Sequence, residues 1–341
     1  MSKISYNCNM KTNQSTQESL FNVIKDSLPA NISLVHDISE LLNISYDSAY
    51  RRIRGEKELS MDELKILGQH YKVSIDTLFN LTTNNVVFKS TFISDQGVSF
   101  HDWMRVTHFE LKRINSFKEK VFFYSAKDIP IFHYFQFPDI FTFKVLFWHK
   151  ALISSGEFND SLISLELDES LLEMGRQIAV FYSKIPTCEL WNEETFNSII
   201  RQIEFCFVSG YFTKKEIAFR LCDSLEAMIH HLQREAELGF RFTPGTTPEG
   251  IEGSFKLYFN EVLLGDNTIF VKTDGNSTAY LTYNVINLLI TTNPLFCQQI
   301  EKSMHVLMQE STLISNTSAK DRNRFFVQIY DKINALRKRM E

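Results

Sequence analysis

The chain has 341 residues, of which 44% are hydrophobic and 23% are charged, and its formal net charge is −5. This composition is ordinary for a globular protein, and the acidic balance excludes a polycation that coats nucleic acid along its whole length. The five cysteines include no CxxC pair, so neither a disulfide framework nor a zinc cluster is expected. The polar N-terminus and the lack of a long apolar run predict a cytoplasmic protein without a membrane span.

The first 80 residues are predicted to contain a disordered tail, residues 1–16, and then five short helices in residues 17–80. The second helix is expected at residues 34–42. It ends at Asn43, because asparagine tolerates the left-handed backbone that follows many helices. A third helix is expected to begin after Ser45, which is a good N-cap residue.

Three segments, ISELLNIS, YDSAYRRIRGEK and LSMDELKILGQHYKVSIDTLF, occur in this order with short helices expected in each. Within the third segment, Ser60 and Glu63 form a capping-box pattern. Together the segments resemble the lambda-repressor-like (Cro/XRE-type) helix-turn-helix family over residues 17–80. The small residue that this family carries in its second helix falls on Ser39, and its turn glycine falls on Asn43. The resemblance implies a five-helix DNA-binding domain.

The resemblance also implies that the third helix enters the major groove of DNA. The residues that would contact base edges are Tyr46, Asp47, Tyr50 and Arg51. The residues that would contact phosphates are Arg52, Arg54 and Lys57. The alternative interpretation is a solvated helix face, whose cations are offset by nearby acidic residues. Residues 18–80 contain more acidic than basic side chains, so affinity is expected to depend on dimerisation, which doubles the phosphate contacts.

After an expected linker at residues 81–99, the sequence predicts a helical body at residues 100–241. Residues 131–148 of this body are intensely aromatic. The stretch is interpreted as plain hydrophobic core, or alternatively as a ligand pocket or dimer core, because pockets combine aromatic walls with a few converging polar groups. The candidate pocket residues are His133, Phe135, Phe141, Lys144 and Trp148.

Residues 242–341 are predicted to form a three-stranded antiparallel meander and two C-terminal helices. Asp266-Asn267 and Asp274-Gly275 have the residue types of tight hairpin turns. The predicted fold class is therefore mainly α, with a five-helix N-terminal domain, a larger helical C-terminal body and a small three-stranded antiparallel sheet.

No GxSxG, GxGxxG, GxxxxGK[ST] or HExxH motif occurs in the chain, so neither enzymatic activity nor a cofactor is predicted. His231 and Glu235 are four residues apart and share one face of an expected helix. This spacing permits a metal site, but a partly exposed helix face is the preferred interpretation, so no metal is predicted.

The sequence as a whole predicts a bacterial transcription regulator that binds double-stranded DNA as a homodimer on a palindromic operator. Its C-terminal body would dimerise and would accept a small-molecule or protein effector. The alternative is an interaction protein of the antitoxin or phage-immunity type, whose helix-turn-helix only places it on DNA. A stoichiometric protein partner would favour the alternative, whereas a thermal shift with small metabolites would favour a sensor.

Overall fold

The computed structural model describes residues 15–28, 33–71, 73, 78, 86–91, 99–150, 162–262, 265–283 and 286–341. The chain divides into two compact units, Met1–Val87 and Phe88–Glu341, which are called the N-terminal unit and the C-terminal unit below. Most of the expected tail and much of the expected linker lie outside the described residues. The linker residues Lys89–Thr91 form strand β1, which belongs to the sheet of the C-terminal unit.

Four helices are described in the N-terminal unit: α1 (Thr16–Ser27), α2 (Leu34–Leu41), α3 (Tyr46–Ile53) and α4 (Met61–Tyr71). Serine side chains cap three of them, because the Oγ atoms of Ser15, Ser45 and Ser60 each accept a backbone N–H of the first turn. The helices share a small apolar core made of Leu20, Phe21, Ile24, Ile38, Ala49, Leu64 and Leu67. Of the expected fifth helix, residues 74–77 and 79 lie outside the described residues.

The C-terminal unit combines helices with a mixed β-sheet. Its described helices are α5 (Phe100–Ser116), α6 (Ile131–Tyr134), α7 (Pro138–Trp148), α8 (Glu169–Ser183), α9 (Asn197–Val208), α10 (Glu216–Leu238), α11 (Pro294–Gln309) and α12 (Ala319–Met340). Within the described residues, none of these helices has the length and apolar content that crossing a membrane requires.

The described strands form one eight-stranded sheet with the order β1-β7-β6-β5-β2-β3-β4-β8. Besides β1, the strands are β2 (Lys120–Ala126), β3 (Thr187–Trp191), β4 (Phe255–Phe259), β5 (Thr268–Thr273), β6 (Asn276–Tyr283), β7 (Asn287–Thr291) and β8 (Thr312–Leu313). Strand β3 runs parallel to both β2 and β4, whereas the other pairs are antiparallel.

The prediction of a small three-stranded antiparallel sheet is therefore wrong. Strands β5 and β6 do form a hairpin at Asp274-Gly275, but β4 does not pair with β5, because β2 and β3 lie between them. Strand β3 is buried along its whole length and β2 along most of it. A strand covered on both faces lacks the alternation of apolar and polar residues that marks a half-exposed strand, so its sequence resembles any buried segment.

Helices cover both faces of the sheet. On one face, Phe123, Leu190 and Phe270 pack against α11, which contributes Cys297 and Met304. On the other face, alternate strand residues join a large core with α5 to α10 and α12. The sheet takes strands from both sides of residue 241, so the expected helical body and the expected meander share one core and one compact unit.

Candidate functional site

The turn between α2 and α3 is the local feature that the resemblance depends on. Asn43 has φ 51°, which is the left-handed conformation that its residue type was expected to adopt. The chain then reverses at Ile44, whose N–H bonds to the carbonyl of Ser39 at 3.0 Å. Ser45 follows as the N-cap of α3, and its Oγ accepts the N–H of Ser48 at 3.3 Å. The two helices are therefore joined by a tight turn with satisfied caps.

One face of α3 is open to solvent and carries tyrosine and arginine side chains. Tyr46 is 55% exposed and Tyr50 is 48% exposed. The side chains of Arg51 and Arg54 are 55% and 66% exposed. Asp47 is exposed on the same helix, and Lys57 is exposed just beyond it. Six of the seven predicted DNA contacts are thus accessible.

Arg52 is the exception, because it is buried and the prediction that it contacts a phosphate is wrong. Only 5% of Arg52 is exposed, and its guanidinium donates to both carboxylate oxygens of Glu63, at 2.6 and 3.2 Å. A third bond reaches the carbonyl of Ser48 at 3.1 Å. The bond from Arg52 lowers the pKa of Glu63 despite the opposing effect of burial. Arg52 lies on the inner side of α3 with buried Ala49 and partly buried Ile53, and its bonds to Glu63 connect α3 to α4.

Two further contacts hold α3 in place and were missed in the sequence. Tyr46 and His36 stack with ring centroids 5.8 Å apart, and the Tyr46 hydroxyl bonds to His36 Nδ1 at 2.8 Å. The amide of Gln17 on α1 donates to the carbonyls of Arg52 and Lys57 at 2.7 and 2.8 Å. No short-range pattern connects Gln17 to residues 35 to 40 positions away.

The exposed cations are held only loosely. Arg51 and Arg54 approach Glu56 at 3.9 and 3.8 Å, and all three side chains are at least half exposed. The Arg54 guanidinium also lies 5.4 Å from the centroid of the Tyr50 ring. Exposed pairs of this kind contribute little stability, so they leave the arginines free to take a new partner at small cost.

The aromatic stretch of the C-terminal unit is buried at all five of its candidate pocket residues. Phe135 and Phe141 are 1% and 0% exposed and meet edge to face at 4.8 Å. A Cβ atom placed on Gly175 would lie 3.0 Å from Phe141, so the space beside these rings is filled. His133 is bonded to buried Glu189 at 3.0 Å. Trp148 belongs to the same core and is 4% exposed, and Lys144 is 3% exposed.

Glu189 is the centre of a buried polar cluster on β3. Its carboxylate accepts Tyr182 Oη at 2.6 Å, Trp191 Nε1 at 2.9 Å and a bond from Arg241. Burial acts to raise the pKa of Glu189, but the charges of Arg241 and His133 outweigh it and lower the pKa to about 2. An ionised carboxylate can only accept, so His133 donates its Nε2–H to it. The cluster ties α6, α8 and the segment after α10 to the sheet.

A surface groove of about 480 Å³ opens near this cluster. It is lined by Gln136, Glu173, Arg176, Gln177, Ala179, Val180, Phe181, Thr243 and Pro244. None of the five candidate pocket residues belongs to its lining. Its charged residues, Glu173 and Arg176, already pair with each other at 2.9 Å.

His231 and Glu235 do meet, with His231 Nε2 3.2 Å from Glu235 Oε1 and 3.0 Å from the carbonyl oxygen of Phe242. Across the described residues, no three His, Cys, Asp or Glu side chains are grouped so that they could hold a metal ion.

Comparisons of this chain with protein-family models, with curated proteins and with solved structures found no match. Function is therefore inferred from the geometry and chemistry of the chain itself.

Proposed function

We propose that this chain is a sequence-specific DNA-binding transcription regulator of the cytoplasm. It would act as a homodimer on a palindromic operator. The observation that carries the proposal is the two-sided character of α3. Its inner side is fixed by Ala49 and by the Arg52–Glu63 pair, whereas its outer side presents Tyr46, Tyr50 and Arg51 to solvent without an apolar core to cover them. A helix with an exposed side of tyrosine and arginine can enter the major groove, which admits one α-helix.

The outer residues match the two kinds of contact that DNA offers. Arg51 can bond to O6 and N7 of one guanine with its planar fork, and Tyr46 is held by His36 in a fixed position beside it. Arg54 and Lys57 lie at the end of α3, where phosphates would pass. Asp47 either accepts a bond from a cytosine amino group or orients Arg51. Arg52 has no part in this proposal, because its donors are taken by Glu63 and Ser48.

The experiment that tests the proposal begins with selection of bound sequences from random duplex DNA by the full chain. A single enriched motif with two-fold symmetry is expected. The enriched duplex is then used in gel-shift titrations of Arg51→Ala. This variant should lose about 1–3 kcal/mol of specific affinity and accept other base pairs at one position of each half-site.

Arg113→Ala is the matched control, because Arg113 is another exposed arginine in a helical ion pair but lies on α5 of the C-terminal unit. Its affinity for the selected duplex should stay unchanged. Random enrichment, or equal binding by folded Arg51→Ala and the native chain, would contradict the proposal. Co-purification of a stoichiometric protein in place of any enriched motif would favour an interaction protein that uses α3 for a different purpose.

A further inference from the structure

Lys144 is a buried cation whose donors are mostly unused. It lies on α7, only 3% of it is exposed, and its ammonium donates to Gln202 Oε1 at 2.8 Å. Among the described residues, Gln202 Oε1 is the one hydrogen-bond acceptor of this ammonium, and no carboxylate pairs with it. Since an ammonium group carries three N–H donors, two of them lack an acceptor within the described part of the chain.

Trp148 adds a third unused donor at the same place. It follows Lys144 by four residues, so both side chains share one face of α7. Trp148 is 4% exposed, and its indole Nε1–H has no hydrogen-bond partner among the residues that the structure describes. The Lys144 ammonium lies 4.9 Å from the centroid of the Trp148 ring and 5.3 Å from that of Tyr134. Rings of this kind stabilise a cation, but they supply no acceptor for its N–H groups.

The local balance of donors and acceptors is therefore one-sided. Gln202 Oε1 is an acceptor for Lys144, while the amide nitrogen of Gln202 donates to Ser198. A buried donor without an acceptor loses its hydration and gains nothing in return, and a buried unpaired charge costs more. Burial lowers the pKa of Lys144 to about 8, with Asp128 opposing the shift, so the group still carries its charge at neutral pH. Within the described residues, the surroundings of Lys144 and Trp148 therefore lack a negatively charged group with several acceptor lone pairs.

We propose that Lys144 and Trp148 together bind a small monovalent anion, either a halide or the carboxylate of a short-chain acid. Such an anion would accept the free N–H groups of Lys144 and the indole N–H of Trp148, and it would neutralise the ammonium. Because Lys144 and Trp148 are only 3% and 4% exposed, the ligand has to be small. The site lies in the C-terminal unit and does not depend on the DNA-binding proposal.

Bromide is the first probe, because its anomalous scattering locates it directly. Crystals of the full chain are grown in sodium bromide, and an anomalous difference peak is expected within hydrogen-bond distance of Lys144 Nζ and Trp148 Nε1. Crystals of Lys144→Met grown in the same solution should lack this peak. Bromide peaks elsewhere on the native chain, with no peak between these two atoms, would overturn a halide site.

A titration in solution tests whether the site binds a carboxylate as well as a halide. At constant ionic strength, sodium gluconate, whose anion is too large for the site, is replaced stepwise by sodium bromide or sodium acetate. Either replacement should raise the melting temperature of the native chain by about 2 °C or more at saturation. Trp148→Phe keeps the ring and removes only the N–H, so its half-saturating concentration should rise about 10-fold. Trp103→Phe is the control for loss of an indole elsewhere and should titrate like the native chain.

A response to bromide alone assigns the site to halides, and a response to acetate alone assigns it to carboxylates. Equal curves for the native chain, Trp148→Phe and Lys144→Met would mean that the salts act elsewhere, and the proposal would then be wrong. The same conclusion follows if neither salt shifts the melting temperature of the native chain.

Discussion

Neighbouring arginines on one short helix have opposite roles in this chain. Arg51 is exposed and lies 3.9 Å from Glu56, whereas Arg52 is buried and donates two hydrogen bonds to Glu63. The sequence RRIR does not separate them, because a cationic run looks the same whichever residue faces inward. The separation comes from helical geometry, since adjacent residues of an α-helix point about 100° apart.

This difference yields a prediction for two alanine variants. Arg52→Ala should lower the free energy of unfolding of the N-terminal unit by about 3–5 kcal/mol, because it removes the cation that pairs with the partly buried Glu63 carboxylate and the bond to the Ser48 carbonyl. Arg51→Ala should change that free energy by less than about 0.5 kcal/mol. Urea unfolding followed by circular dichroism measures both variants. Similar losses in the two variants would contradict the assignment of Arg52 to the core.

Lys144 gives a second prediction at the scale of one residue. Its usual pKa of 10.5 is lowered by burial to about 8 in the folded chain. Between pH 8 and 10 the unfolded chain therefore binds more protons than the folded chain, and stability contributed at this site increases as the pH rises. Below pH 8 both states are protonated, and the site costs about 3 kcal/mol in the absence of an anion.

Lys144→Met removes the charge and keeps an unbranched side chain of similar length. In gluconate buffer it should be more stable than the native chain at pH 7, and the difference should become smaller as the pH rises toward 10. Urea titrations at pH 7, 8, 9 and 10 provide the comparison. A difference that does not change with pH would show that folding does not lower the pKa of Lys144.

At the scale of secondary structure, short helices with capped ends could be predicted and buried strands could not. The expected second helix, residues 34–42, agrees with α2 to within one residue. The prediction was possible because Asn43 indicates the turn that ends the helix and Ser45 indicates the start of the next one. Strand β3 has no such marks: its partners are 65 residues before it and 68 residues after it, as in the pairs Phe122↔Thr187 and Thr187↔Phe255. No local pattern encodes pairing at that distance.

The same limit applies to the polar cluster. Glu189 was not singled out from the sequence, because a glutamate inside the apolar segment TCELW has no cationic neighbour in the chain. Trp191 of the same segment donates to it, but its other donors, His133, Tyr182 and Arg241, lie on three separate segments. The signal that could have found it is the rarity of a charged residue in a fully buried strand, since such residues are almost never unpaired.

The cluster predicts how the elements of the C-terminal unit depend on one another. Arg241→Met should remove one cation from buried Glu189 and lower the free energy of unfolding by about 3–5 kcal/mol. The double variant Glu189→Gln/Arg241→Met should lose less free energy of unfolding than the sum of the losses in the two single variants. In the double variant both charges of the pair are absent, so neither is left buried without its partner. Unfolding by urea with tryptophan fluorescence, which includes buried Trp191, measures the coupling. Additive losses would mean that the two residues stabilise the fold independently.

On the scale of the whole molecule, the net charge of −5 limits how tightly one copy could hold DNA. Because Arg52 is buried, Arg54 and Lys57 are the two residues near α3 that are still proposed to contact phosphates. Two contacts neutralise too few phosphates for stable binding, so a second copy is needed to double them. The burial of Arg52, which removes one proposed phosphate contact, therefore strengthens the case for the proposed dimer.

The salt dependence of binding distinguishes a dimer from a monomer on the operator. The logarithm of the binding constant falls with the logarithm of salt concentration by about 0.9 for each phosphate contact. In a dimer, Arg54→Ala removes two contacts at once, so the slope should become shallower by about 1.8. In a monomer the change should be about 0.9. Gel-shift titrations on the selected duplex at several salt concentrations give the slope.

Arg113→Ala is again the control, and its slope should equal that of the native chain. Light scattering at the same protein concentration should show two copies in solution. A slope change near 0.9, or a monomer that binds the complete operator, would exclude the dimer while leaving α3 as the reading helix. An unchanged slope would instead remove Arg54 from the phosphate contacts, and α3 would then have to approach DNA through its N-terminal turn, where Tyr46 and Asp47 lie.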